Sequence, residues 1–198
     1  MKISEKFLSI QGEANPIGQY VFFIRTSMCN LSCSFCDTKA KIQINNDYQL
    51  EEAIEDIKKF GTDVVFTGGE PTLWAISISP IIRLFPNTKF YIETNGTLDA
   101  SKLFYPNVSF NISPKPPLYK IQRSFLDPKI NKVFKFVIDP YNIENVPWDL
   151  MRKLKNVYLM PLTDGDDRLL ERHQIVANLA IERGYNFSPR LQLLSKFL

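Results

Sequence analysis

The sequence predicts an α/β fold, a partial (incomplete) TIM-like barrel of about six parallel strands with few helices. Three observations predict it. Short apolar runs alternate with longer stretches of helical spacing, the pattern of right-handed βαβ units and a parallel sheet. Six such runs stand against only three or four helical stretches, which favours a curved, incompletely closed barrel over a flat doubly wound sheet. Polar, glycine-bearing or proline-bearing segments stand at the ends of five of the runs: residues 26–36, Thr67-Gly68-Gly69-Glu70, Thr94-Asn95-Gly96, Ser113-Pro114-Lys115 and Pro161. Five strand ends then point at one mouth, where ligands of such folds collect.

Taken in order, Val21-Phe22-Phe23-Ile24 is nearly continuous, as expected for a strand buried on both faces. Leu50, Ala53, Ile54, Ile57 and Phe60 follow helical spacing, with Asn46 or Asp47 available as a cap and Gly61 as a stop. Residues 63–67 form a second strand running into Gly68-Gly69. A helix over 79–84 accommodates Pro80 only in its first turn. Residues 89–94 and 108–112 read as the third and fourth strands, 133–138 and 157–162 as the fifth and sixth, with a helix around 148–154 between the last two. The longest helical pattern covers 169–183 and ends at Gly184, and a last short strand is expected at 190–194. Residues 113–132, with four prolines, read as a long loop, a feature that is usually functional or disordered. No internal repeat or low-complexity segment interrupts the chain, and 198 residues suit one domain spanning 1–198.

Composition narrows the classes further. A chain of this size buries about 70% of its unfolded surface and needs no disulfide staples. Lys and Arg exceed Asp and Glu by only 24 to 21, with the two signs interspersed as in residues 51–59, so no nucleic-acid partner is expected. No apolar run approaches the ~18 residues that span a bilayer. Residues 1–6 carry charges with no apolar core after them, unlike a signal peptide. No membrane partner and a cytoplasmic location are the resulting expectations.

All three cysteines, Cys29, Cys33 and Cys36, fall within eight residues. An odd number precludes a closed disulfide framework within one chain. Structural zinc needs four ligands, and the single histidine, His173, lies far off on a predicted helix. Three inert thiols would not explain the clustering. An iron–sulfur cluster held by only three thiolates leaves one iron open to a small molecule, and an open metal position marks a catalytic site.

Cys-x3-Cys-x2-Cys in a loop after a barrel strand resembles the radical S-adenosylmethionine superfamily, as does Phe66-Thr67-Gly68-Gly69-Glu70-Pro71 after the next strand. The resemblance implies a 4Fe–4S cluster on Cys29, Cys33 and Cys36, with S-adenosylmethionine on the open iron. One-electron cleavage of the sulfonium would then give methionine and a 5′-deoxyadenosyl radical. Within the superfamily, Ser9-Ile10-Gln11-Gly12-Glu13, Arg25 and Cys36-Asp37-Thr38 resemble the 7-carboxy-7-deazaguanine synthase family, with Glu93-Thr94-Asn95-Gly96-Thr97 and Ser113-Pro114-Lys115 in family order. That resemblance, from Phe7 to about Thr163, implies a lyase contracting the ring of 6-carboxy-5,6,7,8-tetrahydropterin to 7-carboxy-7-deazaguanine with loss of ammonia, on the route to queuosine and related deazapurines.

It further implies substrate contacts from Ile10, Gln11, Gly12, Glu13, Arg25 and Thr67. Cofactor contacts would come from Phe35, Asp37, Gly69, Ser113, Pro114 and Lys115, and Thr38 would bind Mg²⁺. An electron donor such as flavodoxin and a homodimer complete the implied partners. No residue is assigned as acid or base. Three departures stand out: residues 113–132 lack a clear match to the family, and Ala14 replaces the last glycine of the family's Gln-Gly-Glu-Gly. Arg190-Leu191-Gln192-Leu193-Leu194-Ser195-Lys196 also lacks the family's Gln-x-His-Lys, so the resemblance leaves C-terminal substrate contacts undefined, the carboxylate of Leu198 among them. The rival readings are an activating enzyme of the same superfamily acting on a glycyl-radical protein, and an iron–sulfur electron carrier.

Overall fold

The computed structural model describes residues 1–39, 43–163 and 168–195. Its strands are β1 (Lys2–Ile10), β2 (Tyr20–Thr26), β3 (Asn46–Asp47), β4 (Val64–Gly68), β5 (Phe90–Thr94), β6 (Val108–Ile112), β7 (Lys132–Ile138), β8 (Val157–Pro161) and β9 (Asn186–Phe187). They form one nine-stranded sheet ordered β3-β1-β2-β4-β5-β6-β7-β8-β9. Every pairing from β2 to β9 is parallel. The edges β3 and β9 do not meet, so the barrel stays open. The six predicted strands are β2 and β4 to β8.

Side-chain alternation explains why those six runs read as almost continuously apolar. On one face, Phe22, Ile24, Val64, Phe66, Phe90, Ile92, Phe110, Phe134, Phe136 and Leu159 join the main core under the helices. These are α1 (Leu50–Phe60), α2 (Ala75–Leu84), α3 (Trp148–Met151) and α4 (Leu169–Arg183), with α5 (Leu191–Ser195) near the cavity mouth. Each fully buried Phe contributes about 1.5–3 kcal/mol, so this face carries most of the stability. On the other face, Phe7, Val21, Phe23, Val65 and Tyr91 make a smaller apolar cluster, with the Phe7 and Phe23 rings stacked 5.0 Å apart. Two residues further along their strands come Arg25, Thr67 and Glu93, with Arg25 opposite Thr67 and Glu93 opposite Asn111. The inner face thus has an apolar floor and a polar layer above it.

Several expectations are corrected. β1 is an additional strand, antiparallel to β2 and β3; its mixed burial hides the period of two. Asn46 and Asp47 pair with β1 instead of capping α1, whose N-cap is Gln49 without a side-chain hydrogen bond. The intervening Tyr48 is buried and donates its hydroxyl to Asp56 Oδ2 at 2.7 Å. α1 ends at Gly61 as expected, with its amide on the Ile57 carbonyl and φ of 60°. α2 starts after a 3-10 turn at Pro71–Trp74 and holds Pro80 in its interior. The carbonyl left without Pro80's N–H belongs to Ile76, a residue 74% exposed and open to water, while buried Ile78, Ile81 and Ile82 offset the proline's cost of about 3 kcal/mol. α3 is shorter than expected. The segment expected as a strand at 190–194 is instead α5, its Leu191 amide bonded to the Gly12 carbonyl, and the final strand is β9. The loop over 113–132 holds only a 3-10 turn, Arg123–Leu126, before β7 begins.

Candidate active site

The C-terminal ends of the parallel strands open into a cavity of about 920 Å³. All the candidate residues line it except Pro114, which is buried beside Ser113. Lys196 and Leu198 lie outside the described residues.

The cysteine loop leaves β2 and is clamped against the end of β4. Gly69 donates its amide to the Thr26 carbonyl at 3.0 Å, and Glu70 donates to the Met28 carbonyl at 2.9 Å. A Cβ on Gly69 would lie 1.7 Å from the Met28 oxygen, so the second glycine of the motif is required by close backbone approach. Glu70 is fully buried. It accepts from the Thr72 amide and hydroxyl, from the Thr94 hydroxyl at 2.7 Å and from the Asn95 amide at 2.7 Å. Burial pushes this carboxyl up, and those donors act in the opposite sense. Asn95 in turn donates to Asn30 at 2.9 Å. One buried carboxylate therefore ties β4 and β5 together, and through Asn95 it reaches the cysteine loop.

The three thiols are free and half-buried. Burial pushes the Cys29 and Cys33 thiols up, opposed by the Leu31 amide at Cys29 and by the charge of Lys115 at Cys33. Thr38 Oγ1 lies 3.6 Å from Cys36 Sγ. Among the described residues no three His, Cys, Asp or Glu side chains converge on one ion, so the thiols are not set as a single-metal centre. His173 is committed elsewhere: Nδ1 bonds the Leu169 carbonyl at 2.7 Å, and Nε2 accepts the Arg190 amide at 3.1 Å. His173 is therefore not available as a fourth zinc ligand. Three thiolates on a glycine-clamped loop, lining a cavity, fit a cluster with one iron left for a small ligand.

Below the loop lies a charged layer that the sequence did not reveal. Buried Lys135 donates to Glu13 at 2.7 Å and to Glu93 at 3.0 Å. Glu93 also accepts from Gln11 at 3.0 Å and Asn111 at 2.7 Å. Glu13 also accepts from Arg190 Nε at 2.9 Å and Gln192 at 2.7 Å. The Arg190 guanidinium reaches Thr163 and Asp37 as well. Burial alone would raise the Glu13 carboxyl, but the charges of Lys135 and Arg190 overcome it and hold the group well below the carboxylate range. Burial likewise opposes the charge on Lys135, and Glu13 and Glu93 outweigh it, holding the ammonium above its usual range. Glu13 and Lys135 are thus fixed charges, not proton carriers at neutral pH.

Arg25 is oriented by Glu5, with Nε donating to Oε1 at 2.7 Å, beside Thr67 in register. Lys115 is half-buried, not a solvated loop lysine, and donates to Ser113 Oγ at 2.6 Å. Burial depresses the Lys115 ammonium, aided by Lys135 and opposed by Cys33, Glu13 and Glu93. One buried acceptor at the cavity, Gln192 Oε1, has no hydrogen-bond partner among the described residues. It occupies the space that a Cβ on Gly12 would need, 1.8 Å away, so Gly12 admits the α5 side chain to the site. Lys135 was legible only as a lone charge inside an apolar run; Arg190, Thr163 and Gln192 gave no usable signal.

The sequence model of the Radical SAM superfamily matches residues 23–124. The 7-carboxy-7-deazaguanine synthase of Hyperthermus butylicus is 31% identical over 98% of this chain and 92% of its own. Its namesake from Rhodopirellula baltica is 31% identical over 96% and 84% respectively, and that from Clostridium acetobutylicum 32% over 81% of each. The crystal structure of QueE from Escherichia coli superposes with a TM-score of 0.74 over 95% of this chain and 92% of that one, at 23% identity, a likeness of fold. The chain therefore belongs to the radical SAM superfamily and, within it, to the family of these 7-carboxy-7-deazaguanine synthases.

Proposed function

We infer that this protein is a lyase that contracts the ring of 6-carboxy-5,6,7,8-tetrahydropterin to 7-carboxy-7-deazaguanine with loss of ammonia. The observation that carries this reading is the meeting, in one cavity, of the three-thiol loop, the Gly-Gly-Glu strand end and a polar socket of fixed charges. Cys29, Cys33 and Cys36 would hold a 4Fe–4S cluster, which with S-adenosylmethionine would supply hydrogen abstraction at a carbon that no base could readily deprotonate. The chain's own residues bind and orient. Gly69, Phe35, Asp37, Ser113, Pro114 and Lys115 are proposed to hold S-adenosylmethionine. Ile10, Gln11, Gly12, Glu13 and Thr67 are proposed to hold the pterin, with the unpaired Gln192 oxygen suited to a ring N–H.

Arg25, braced by Glu5, suits the substrate carboxylate. Thr38 is proposed to ligate a Mg²⁺ that keeps most of its waters. Because Glu13 is held ionised and Lys135 protonated, they supply a fixed field. Further proposals are a single domain over 1–198, supported by the one continuous sheet, a homodimer, a flavodoxin-like electron donor and a cytoplasmic role in queuosine formation. Among the described residues no helix is long and apolar enough to cross a membrane.

The test is anaerobic incubation of the reduced, cluster-loaded protein with S-adenosylmethionine and the tetrahydropterin. Product at the mass of 7-carboxy-7-deazaguanine is expected. Cofactor cleavage without that product would overturn the substrate and favour a glycyl-radical activating enzyme; no cofactor binding would favour an electron carrier.

A further inference from the structure

Arg190 occupies an unusual position in this site. Its guanidinium holds three side chains from three separate segments: Glu13 after β1, Asp37 directly after Cys36, and Thr163 after β8. The Arg190 side chain is 10% exposed and that of Asp37 54% exposed, so the contact runs from the interior to the rim of the cavity. The inner end is rigid, since Glu13 is also held by Lys135 and Gln192. The residue itself is anchored from outside the cavity: its backbone amide bonds His173 of α4, which is fixed in turn by the Leu169 carbonyl. A planar guanidinium presents donors in a fixed fork and can serve two carboxylates at once. A lysine ammonium on a flexible stem cannot be expected to keep both.

We propose that Arg190 is a positioning residue that couples the two halves of the site, making S-adenosylmethionine and the pterin bind with positive cooperativity. The inference rests on the function proposed above, with Asp37 on the cofactor side and Glu13 on the substrate side. A ligand that fixes the 36–38 segment fixes the guanidinium, and the guanidinium fixes Glu13 for the second ligand. Linkage requires the reverse effect to be equal. Coupling between sites commonly amounts to roughly 5–150-fold in affinity, and the lower part of that range suits a single shared side chain.

The experiment uses the cluster-loaded protein without reductant and calorimetric titration of S-adenosylmethionine with and without the tetrahydropterin, then the reverse order. Wild type should show at least about fivefold tighter binding of each ligand in the presence of the other. In Arg190→Lys that ratio should fall to near one while each ligand still binds; in Asp37→Asn, which also alters a proposed S-adenosylmethionine contact, the cofactor should bind more weakly and the ratio should fall likewise. The double variant should lose nothing further in the ratio. A merely structural role for Arg190 would weaken both affinities and leave the ratio unchanged, which would overturn the proposal, as would a ratio of one in wild type. If wild type fails to bind the pterin, the substrate assignment has failed, and Arg190 is judged by hydrogen exchange over residues 29–39 with S-adenosylmethionine bound. Faster exchange in Arg190→Lys than in wild type is then expected, and equal exchange rejects the clasp.

Discussion

Replacing Gly69 by Ala tests whether the cysteine loop is positioned by backbone contact with β4. The new Cβ would lie 1.7 Å from the Met28 oxygen and 2.4 Å from its carbonyl carbon. Neither atom is the end of a flexible side chain, so the backbone of Met28 itself must retreat, and Cys29 follows it in the chain. Overpacking of this kind costs about 1–3 kcal/mol. The retreat also strains the amide bonds from Glu70 to Met28 and from Gly69 to Thr26, each contributing about 1 kcal/mol. The total is roughly 3–5 kcal/mol, or about 6–20 °C in melting temperature for a chain of this size. Gly184→Ala is the internal comparison: φ is 71° there and nothing lies within 4 Å, so only the left-handed backbone penalty of about 1 kcal/mol applies. Thermal unfolding of the two proteins without cluster, and iron content after anaerobic reconstitution, provide the readouts. Gly69→Ala should unfold well below Gly184→Ala and retain less iron. Equal melting temperatures with full iron in both would refute the clamp.

Lys135→Met should cost about 3–5 kcal/mol in denaturant unfolding, because it leaves Glu13 and Glu93 buried without their shared cation; adding Glu93→Gln should recover part of it. The same pair sets a pH dependence. Glu13 is depressed below its ordinary 4.5, so its contribution is present in full above that value and is lost as acid carries the pH down toward the folded-state value. Lys135 is raised above its ordinary 10.5, so its contribution holds below that value and is lost as the pH rises past it; unfolding midpoints against pH in wild type and Lys135→Met should converge at both extremes. Arg25→Ala should weaken pterin binding roughly ten- to hundredfold while S-adenosylmethionine cleavage without product remains measurable, and unchanged pterin affinity would leave Arg25 as a partner of Glu5 alone. Thr38→Ala should flatten the magnesium dependence of single-turnover product formation and Thr38→Ser preserve it, with iron content equal in both; identical curves for wild type and Thr38→Ala would remove Thr38 from the metal site.

Local periodicity carries information about which face of a strand is apolar, and here that was enough to locate all six central parallel strands. Their outward side chains feed one core, and their inward ones include the apolar floor, so the runs look continuous. β1 escaped because Glu5 and Lys6 interrupt its pattern where it borders solvent. The cysteine loop and the Gly-Gly-Glu segment were legible because their chemistry lies in short contiguous strings. The charged layer was not. Lys135 meets Glu13 across 122 positions and Arg190 meets it across 177, separations over which composition and spacing carry no signal. Arg190 also sits in a segment whose apolar residues suit a strand as readily as the single helical turn that bonding to Gly12 imposes.

The bond between Glu13 and Arg190 also orders events on the ribosome. At about 5–20 residues per second, the 177 positions between them correspond to roughly 10–35 s of synthesis. For most of that interval the nascent chain carries the Gln11-Gly12-Glu13 loop and Asp37 without the arginine that joins Glu13 to Asp37. Even Lys135, the other cation on Glu13, arrives only 122 positions after it. A chain ending short of residue 190 has the makings of the sheet but lacks the guanidinium that joins Glu13 to Asp37 and Thr163, so the charged layer is completed only once residue 190 has been made.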